Sequence, residues 1–247
     1  DAKAAARENI YAALESGFGH REAVVRINGL NTQWGIDDLK FFAKSKADAI
    51  LLPKVESAAQ IQEAAKLLEQ INPTHKLTIW AMIETPMAIF KLPEICSAHP
   101  LLETLVLGTS DLVKDLHARH TPGRVESLTA LSLSVLAARA HHLCVLDGAH
   151  LSLDDEAGLI ASCIQGRDMG FDGKTLIHPN QISAANETSG PSPAEIEEAQ
   201  QRIAAYEAAI SSGAGIAVLN GKLIEELHIQ DAKRILALAE AIDSFNR

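Results

Sequence analysis

The sequence predicts an α/β protein: repeated strand–helix units around a parallel sheet, then a C-terminal helical tail. Three observations carry this. Apolar runs and amphipathic segments alternate with a repeat of about 25 to 35 residues, as βα units do. The strand candidates (AVVRI, AILLP, KLTIWAMIE, ETLVLG, HLCVLD, KTLIHP) are continuous apolar runs, as expected when both faces are buried. The alternation stops after His178, where ETSGPSP reads as a linker. A closed (β/α)8 barrel and an open doubly wound sheet both satisfy the pattern. No G-x-G-x-x-G follows a strand, which counts against a dinucleotide fold.

Taken in order, residues 1–16 carry Ala, Leu and Ile at helical spacing, and Gly17 and Gly19 stop the helix. Strands are expected over 23–27 and 49–53, with a helix over 36–44 between them. Ser57 is the N-cap of a helix running to Ile71, which Asn72-Pro73 breaks. A third strand ends at Glu84, and one helix is expected over 86–97. A fourth strand ends at Gly108 and a short helix follows over 112–119. Further helices are placed over 125–141 and 154–169, with the fifth strand between them and the sixth after the turn at 170–173. In the tail, helices are expected over 193–212 and 229–245, around a hairpin with an Asn220-Gly221 turn.

The 247 residues carry a net charge of −10 with no Lys/Arg cluster, which argues against nucleic acid or an anionic membrane as partner. The three cysteines lack metal-ligand spacing and read as reduced thiols of a cytoplasmic protein. No apolar run reaches the length of a membrane span.

Chemistry is sought at the strand ends, which converge on one face of a barrel. There stand Arg26-Ile27-Asn28, Lys54-Val55-Glu56, Glu84, Gly108-Thr109-Ser110-Asp111, Asp147-Gly148 and His178. Glu84 is a poor helix cap, and Thr85-Pro86 already supplies a cap and a first helical residue. Asp111 reads either as an N-cap, a task Ser110 is also suited to, or as a ligand. Asp147 reads either as a turn residue before Gly148 or as part of the site. His178 is read as structural, and Lys54 and Glu56 as paired with each other or with solvent. Arg26, flanked by apolar residues, is costly to bury without a carboxylate or an anionic ligand. Glu84 and Asp111 together suit a hard cation, Mg²⁺ above all, which takes one or two protein carboxylates and keeps water and substrate oxygens. Arg26 beside such a pair suits chemistry through an enolate.

VVRIN, LLPKVES, IETPMAI, GTSDL, LDGAHLSLDDEAGL and GKTLIHPNQI, in this order, resemble the HpcH/HpaI aldolase and citrate lyase β-subunit superfamily. The chain is most similar to its CitE-like branch, near the malyl-CoA, β-methylmalyl-CoA and citramalyl-CoA lyases. The resemblance implies a TIM-like (β/α)8 barrel, of which about six βα units are visible here, with a C-terminal helical extension. It implies a barrel domain over 1–185, N-terminally incomplete because the family's FVPG-like turn and LDLEDAV strand are missing. Residues 186–247 would pack on a neighbouring subunit of a trimer or hexamer. It implies Mg²⁺ on Glu84 and Asp111, and Arg26 at the substrate carbonyl. Substrate contacts are assigned to Arg26, Gly108, Thr109, Ser110 and Asp147. The implied reaction is Claisen-type cleavage or condensation of a short 3-hydroxyacyl-CoA (malyl, methylmalyl, citramalyl or citryl), giving an acyl-CoA and a 2-keto acid. Where the family's tail reads GKMID, with an acid/base Asp, this chain has Glu225 in GKLIE. A thioesterase or a keto-acid aldolase on the same site, and a non-catalytic truncated member, are the alternatives.

Overall fold

The computed structural model describes residues 2–74, 77–213 and 216–245. Its contacts divide the chain into two compact units, residues 1–185 and 186–247.

The first unit opens with helix α1 (Ala2–Ser16). Gly17 and Gly19 end it at φ of +77° and +67°, a conformation glycine adopts without a Cβ penalty. Six strands follow: β1 (Val24–Arg26), β2 (Ala49–Leu52), β3 (Thr78–Ile83), β4 (Leu102–Leu107), β5 (Cys144–Asp147) and β6 (Gly173–Lys174). They form one parallel sheet in the order β1-β2-β3-β4-β5-β6. The helices between them are α2 (Gly35–Phe42), α3 (Ala58–Ile71), α4 (Pro86–Phe90), α5 (Leu92–Cys96), α6 (Thr109–Asp115), α7 (Leu128–Ala140) and α8 (Glu156–Met169). This sequential, wholly parallel order is that of a TIM-like barrel wall, and it excludes the strand-order reversal of a doubly wound sheet.

Side chains alternate across each strand, so one face of the sheet meets the helices. Ile79, Ala81, Ile83, Leu105 and Leu107 lie on that face in a core with Ile61, Ala64 and Leu68 of α3 and Leu131 of α7. Thr78, Trp80 and Met82 point the other way, onto the inner face, and are partly exposed.

Several boundaries differ from expectation, each for a local reason. The helix expected over 86–97 is two helices, because Pro93 has no amide hydrogen to donate and its ring crowds the preceding turn. The sixth strand covers only Gly173–Lys174. Thr175 still donates to the Asp147 carbonyl (2.9 Å), but β5 ends at Asp147 and residues 176–178 have no strand to pair with. The helix after β4 begins at Thr109, with Gly108 at its N-cap, so neither Ser110 nor Asp111 caps it. The segment after His178 forms a 3₁₀ turn (Pro179–Gln181) and helix α9 (Ile182–Ser189), whose last three residues fall in the stretch expected as a linker.

In residues 186–247, α10 (Pro193–Ser211) starts at a capping box in which Ser192 and Glu195 satisfy each other's backbone amides. Strands β7 (Ala217–Leu219) and β8 (Lys222–Ile224) form the hairpin, with Asn220 and Gly221 at φ of +51° and +75° as a type I′ turn requires. Helix α11 (Glu226–Phe245) starts a turn earlier than expected. Ala217, Ile224 and Ile229 pack with Ile203 and Tyr206 as this unit's own core. Among the described residues no helix is long and apolar enough to cross a membrane.

Candidate active site

Strand parity decides which strand-end residues meet. Ile83 pairs with Leu107, and the Gly108 amide continues the ladder onto the Ile83 carbonyl at 3.0 Å. Glu84 and Gly108 are therefore the next pair up, on the inner face. Their approach is close: a Cβ on Gly108 would lie 2.5 Å from Glu84 Oε2. Only glycine leaves room there for the carboxylate. Glu84 is buried, at 4% exposure, although Thr85 takes the capping task, its Oγ1 accepting from the Ala88 amide at 3.2 Å.

Two further groups close on this carboxylate. Lys54 adopts φ +49°, a conformation costing a non-glycine residue about 1–2 kcal/mol, and so aims its amide at Glu84 Oε1 (2.8 Å). Its side chain reaches across to Asp111 Oδ1, Nζ at 3.1 Å. Asp111 projects half-exposed from the first turn of α6. Burial pushes the Glu84 carboxyl above its usual range and the Asp111 charge adds to the effect, against the Lys54 amide bond and the charges of Lys54 and Arg26. The Lys54 ammonium is raised in turn, chiefly by its bond to Asp111 and that carboxylate's charge.

Arg26 stands lower on the same face. Register runs from Arg26 to Leu51 to Trp80, four residues before Glu84 along the sheet, and the Arg26 charge still acts on the Glu84 carboxyl. Contrary to expectation it is exposed, on the strand side opposite the buried Val25. Thr109 is buried and Ser110 exposed, at the first and second positions of α6. Gly148 packs against Thr109 so tightly that a Cβ would lie 2.4 Å from its Oγ1.

Asp147 is not brought to this face. It follows Leu146, which pairs with Val106, so it shares the parity of Leu107 and Ile83 and points into the helical layer. There, at 1% exposure, it receives Arg124 Nη1 on both oxygens (2.8 and 2.7 Å) and Lys174 Nζ on Oδ2 (2.7 Å). His178 Nδ1 accepts from the Asn180 amide (3.2 Å), in keeping with a structural role. Glu225, in residues 186–247, is exposed just before α11, and its amide donates to His228 Nδ1 at 2.9 Å.

Sequence reasoning missed three cations. Lys54 is expected to pair with Glu56 or with solvent, yet Glu56 donates its amide to Gln60 (2.7 Å) while Lys54 pairs 57 residues away. Arg124 and Lys174 gave no signal beyond lying in a loop and at a strand start. The one available cue was parity: counting in twos from the apolar core of β5 separates Asp147 from its neighbours.

Among the described residues no group of three or more His, Cys, Asp or Glu side chains is arranged to hold a metal ion. The site offers a pair of carboxylates, with a cation already drawn to one of them.

Known proteins resemble this chain over most of its length. Residues 1–179 match the family model described as HpcH/HpaI aldolase/citrate lyase. A (3S)-malyl-CoA thioesterase of Cereibacter sphaeroides is 49% identical over 99% of this chain and 84% of its own length. The citrate lyase subunit beta of Leuconostoc mesenteroides subsp. cremoris is 34% identical over 97% of the chain and 81% of its own. Among solved structures, CitE of Mycobacterium tuberculosis, in complex with magnesium, acetoacetate and coenzyme A, superposes with a TM-score of 0.77 at 28% identity, covering 96% of this chain and 84% of that one. The chain belongs to the HpcH/HpaI aldolase/citrate lyase family, an enzyme family, and carries its fold.

Proposed function

We propose that this chain is a Mg²⁺-dependent enzyme acting on a short 3-hydroxyacyl-CoA of the malyl type, splitting it into an acyl-CoA and a 2-keto acid. The observation that carries the reading is the pair Glu84 and Asp111 at the inner mouth of the sheet. The residues fit magnesium. Both donors are hard carboxylate oxygens, Gly108 leaves a cradle for one of them, and the raised Glu84 gains from any cation placed beside it. Glu84 and Asp111 would hold the ion, which when bound supplies Lewis-acid charge to keto-acid oxygens. The magnesium and coenzyme A held by the M. tuberculosis protein support this assignment.

The chain's own groups then divide the work. Lys54 fixes Glu84 through its amide and balances Asp111 through its ammonium. Arg26, on the inner face, puts a fixed positive charge where a thioester oxygen gains negative charge. In the cleavage the 3-hydroxyl gives up its proton and its oxygen becomes the keto-acid carbonyl. The C2–C3 bond breaks, and its electron pair passes to the thioester as an enolate, which takes a proton at C2. Gly108, Thr109 and Ser110 border the substrate. Glu225 enters as an acid/base from a neighbouring copy in a homo-oligomer, a trimer or hexamer, a role its exposed position before α11 permits.

Hydrolysis of the same thioester is the second reading. The relative that is 49% identical is a thioesterase, whereas the citrate lyase subunit is 34% identical. In that reaction water breaks the C–S bond, leaving malate and free CoA. Malyl-CoA with Mg²⁺ separates the two. Acetyl-CoA and glyoxylate without free thiol establish the lyase; malate and free CoA without acetyl-CoA replace it with the thioesterase. A Glu84→Gln or Asp111→Asn variant with full turnover refutes the metal assignment for both.

A further inference from the structure

We infer that Asp147, clamped between Arg124 and Lys174, is a positioning residue for the two-carboxylate site, acting through Gly148 and Thr109 on the helix that carries Asp111.

Asp147 has no lone pair to spare for a substrate. Its Oδ1 accepts from Arg124 Nη1 (2.8 Å) and the Gly148 amide (2.7 Å), and its Oδ2 from Arg124 Nη1 (2.7 Å) and Lys174 Nζ (2.7 Å). That fills the roughly four sites a carboxylate offers. The cluster is built from distant parts of the chain. Arg124 comes from the loop before α7, where it adopts φ +52° and is braced by Gln165 of α8 at 2.6 Å. Lys174 comes from β6, with its side chain 4% exposed. Desolvation offsets much of the attraction in such a largely buried group, so its stabilising effect alone is weak grounds for its presence.

What this arrangement grips is the Gly148 peptide. Asp147 takes its amide, and Lys174 Nζ donates to its carbonyl at 2.7 Å. Gly148 in turn is pressed against Thr109 Oγ1, Cγ2 and Cβ with no room for a methyl group. Thr109 is the first residue of α6 and Asp111 the third, so a shift at Gly148 moves the turn that presents Asp111. The chain of contacts crosses the sheet: an ion cluster on the helical face sets the height of a carboxylate on the inner face.

Two measurements test this on the full chain: Mg²⁺ titration by calorimetry, and amide hydrogen exchange over 109–112 and at 148. Only the calorimetric arm rests on Glu84 and Asp111 being the metal ligands. Asp147→Asn is expected to weaken Mg²⁺ binding about tenfold, as loss of outer supports does, and to speed exchange at 109–112 while 61–68 in α3 stay protected. Gly148→Ala, which leaves the ion cluster intact and displaces Thr109 directly, should give the same pair of changes. Arg124→Lys, keeping charge without the fork, should fall between Asp147→Asn and the unaltered protein. A purely structural cluster would lower the melting temperature without moving either readout selectively. Folded Asp147→Asn with unchanged Mg²⁺ affinity and unchanged exchange at 109–112 overturns the inference. Where Asp147→Asn does not fold, Gly148→Ala decides by the same criteria. If the unaltered chain binds no Mg²⁺, the metal reading falls and the exchange arm alone judges the positioning role.

Discussion

Glu84 follows one buried parallel strand and Asp147 ends another, and each is almost wholly out of solvent. They differ by one step of strand parity, and that step separates two kinds of chemistry. Asp147 faces the helices and is saturated by two cations and an amide. Glu84 faces inward, and its one strong bond is from the Lys54 amide; burial and the neighbouring Asp111 work against its charge. A buried carboxylate with every lone pair spoken for serves as a fixed support. One kept short of cations is poised to receive one from outside.

The contrast is broken most forcefully at Asp147. Asp147→Ala leaves Arg124 and Lys174 buried without their partner, and removal of one member of such a group costs about 3–5 kcal/mol. Urea unfolding should show that loss; a change below 1 kcal/mol would mean water already reaches the cluster. At Glu84 the effect moves from stability to activity. Glu84→Gln should reduce Mg²⁺-dependent turnover of malyl-CoA by about 100-fold or more, the scale set by losing a preorganised charge-stabilising group. In metal-free protein the same substitution should stabilise. A carboxyl whose folded pKa is raised opposes folding above that pKa, and the penalty fades as pH falls through it. The melting temperature of Glu84→Gln should therefore exceed that of the unaltered chain at pH 8 and converge with it toward pH 4. Equal melting temperatures at both pH values would show that Lys54 and Arg26 already compensate the charge. The smallest change belongs to Lys54→Ala, since both its ammonium and Asp111 are substantially exposed and such pairs contribute about 0–1 kcal/mol.

The same contrast explains what could be read in the sequence. Short-range chemistry was legible: Thr85-Pro86 capping, Gly17 and Gly19 ending α1, and the Asn220-Gly221 turn all depend on neighbours a few residues apart. Glu84 and Asp111 stood out because each ends an apolar run. What was not legible depends on register and reach. Asp147 looks like Glu84 until Val106 is paired with Leu146, and the apolar neighbours of Arg26 hide that its side chain faces away from the helical core. The Lys54–Asp111 pair joins residues that no local window contains. Pro93 is a local signal in the sequence that divides the helix expected over 86–97.

Gly108 has a bearing on how this protein could be diversified. Because the missing side chain there is what admits the Glu84 carboxylate, even alanine would displace the acid or the strand. The site is thus closed to retuning from the β4 side. On the proposed function, libraries seeking altered substrate preference should leave position 108 fixed and vary exposed positions such as Ser110.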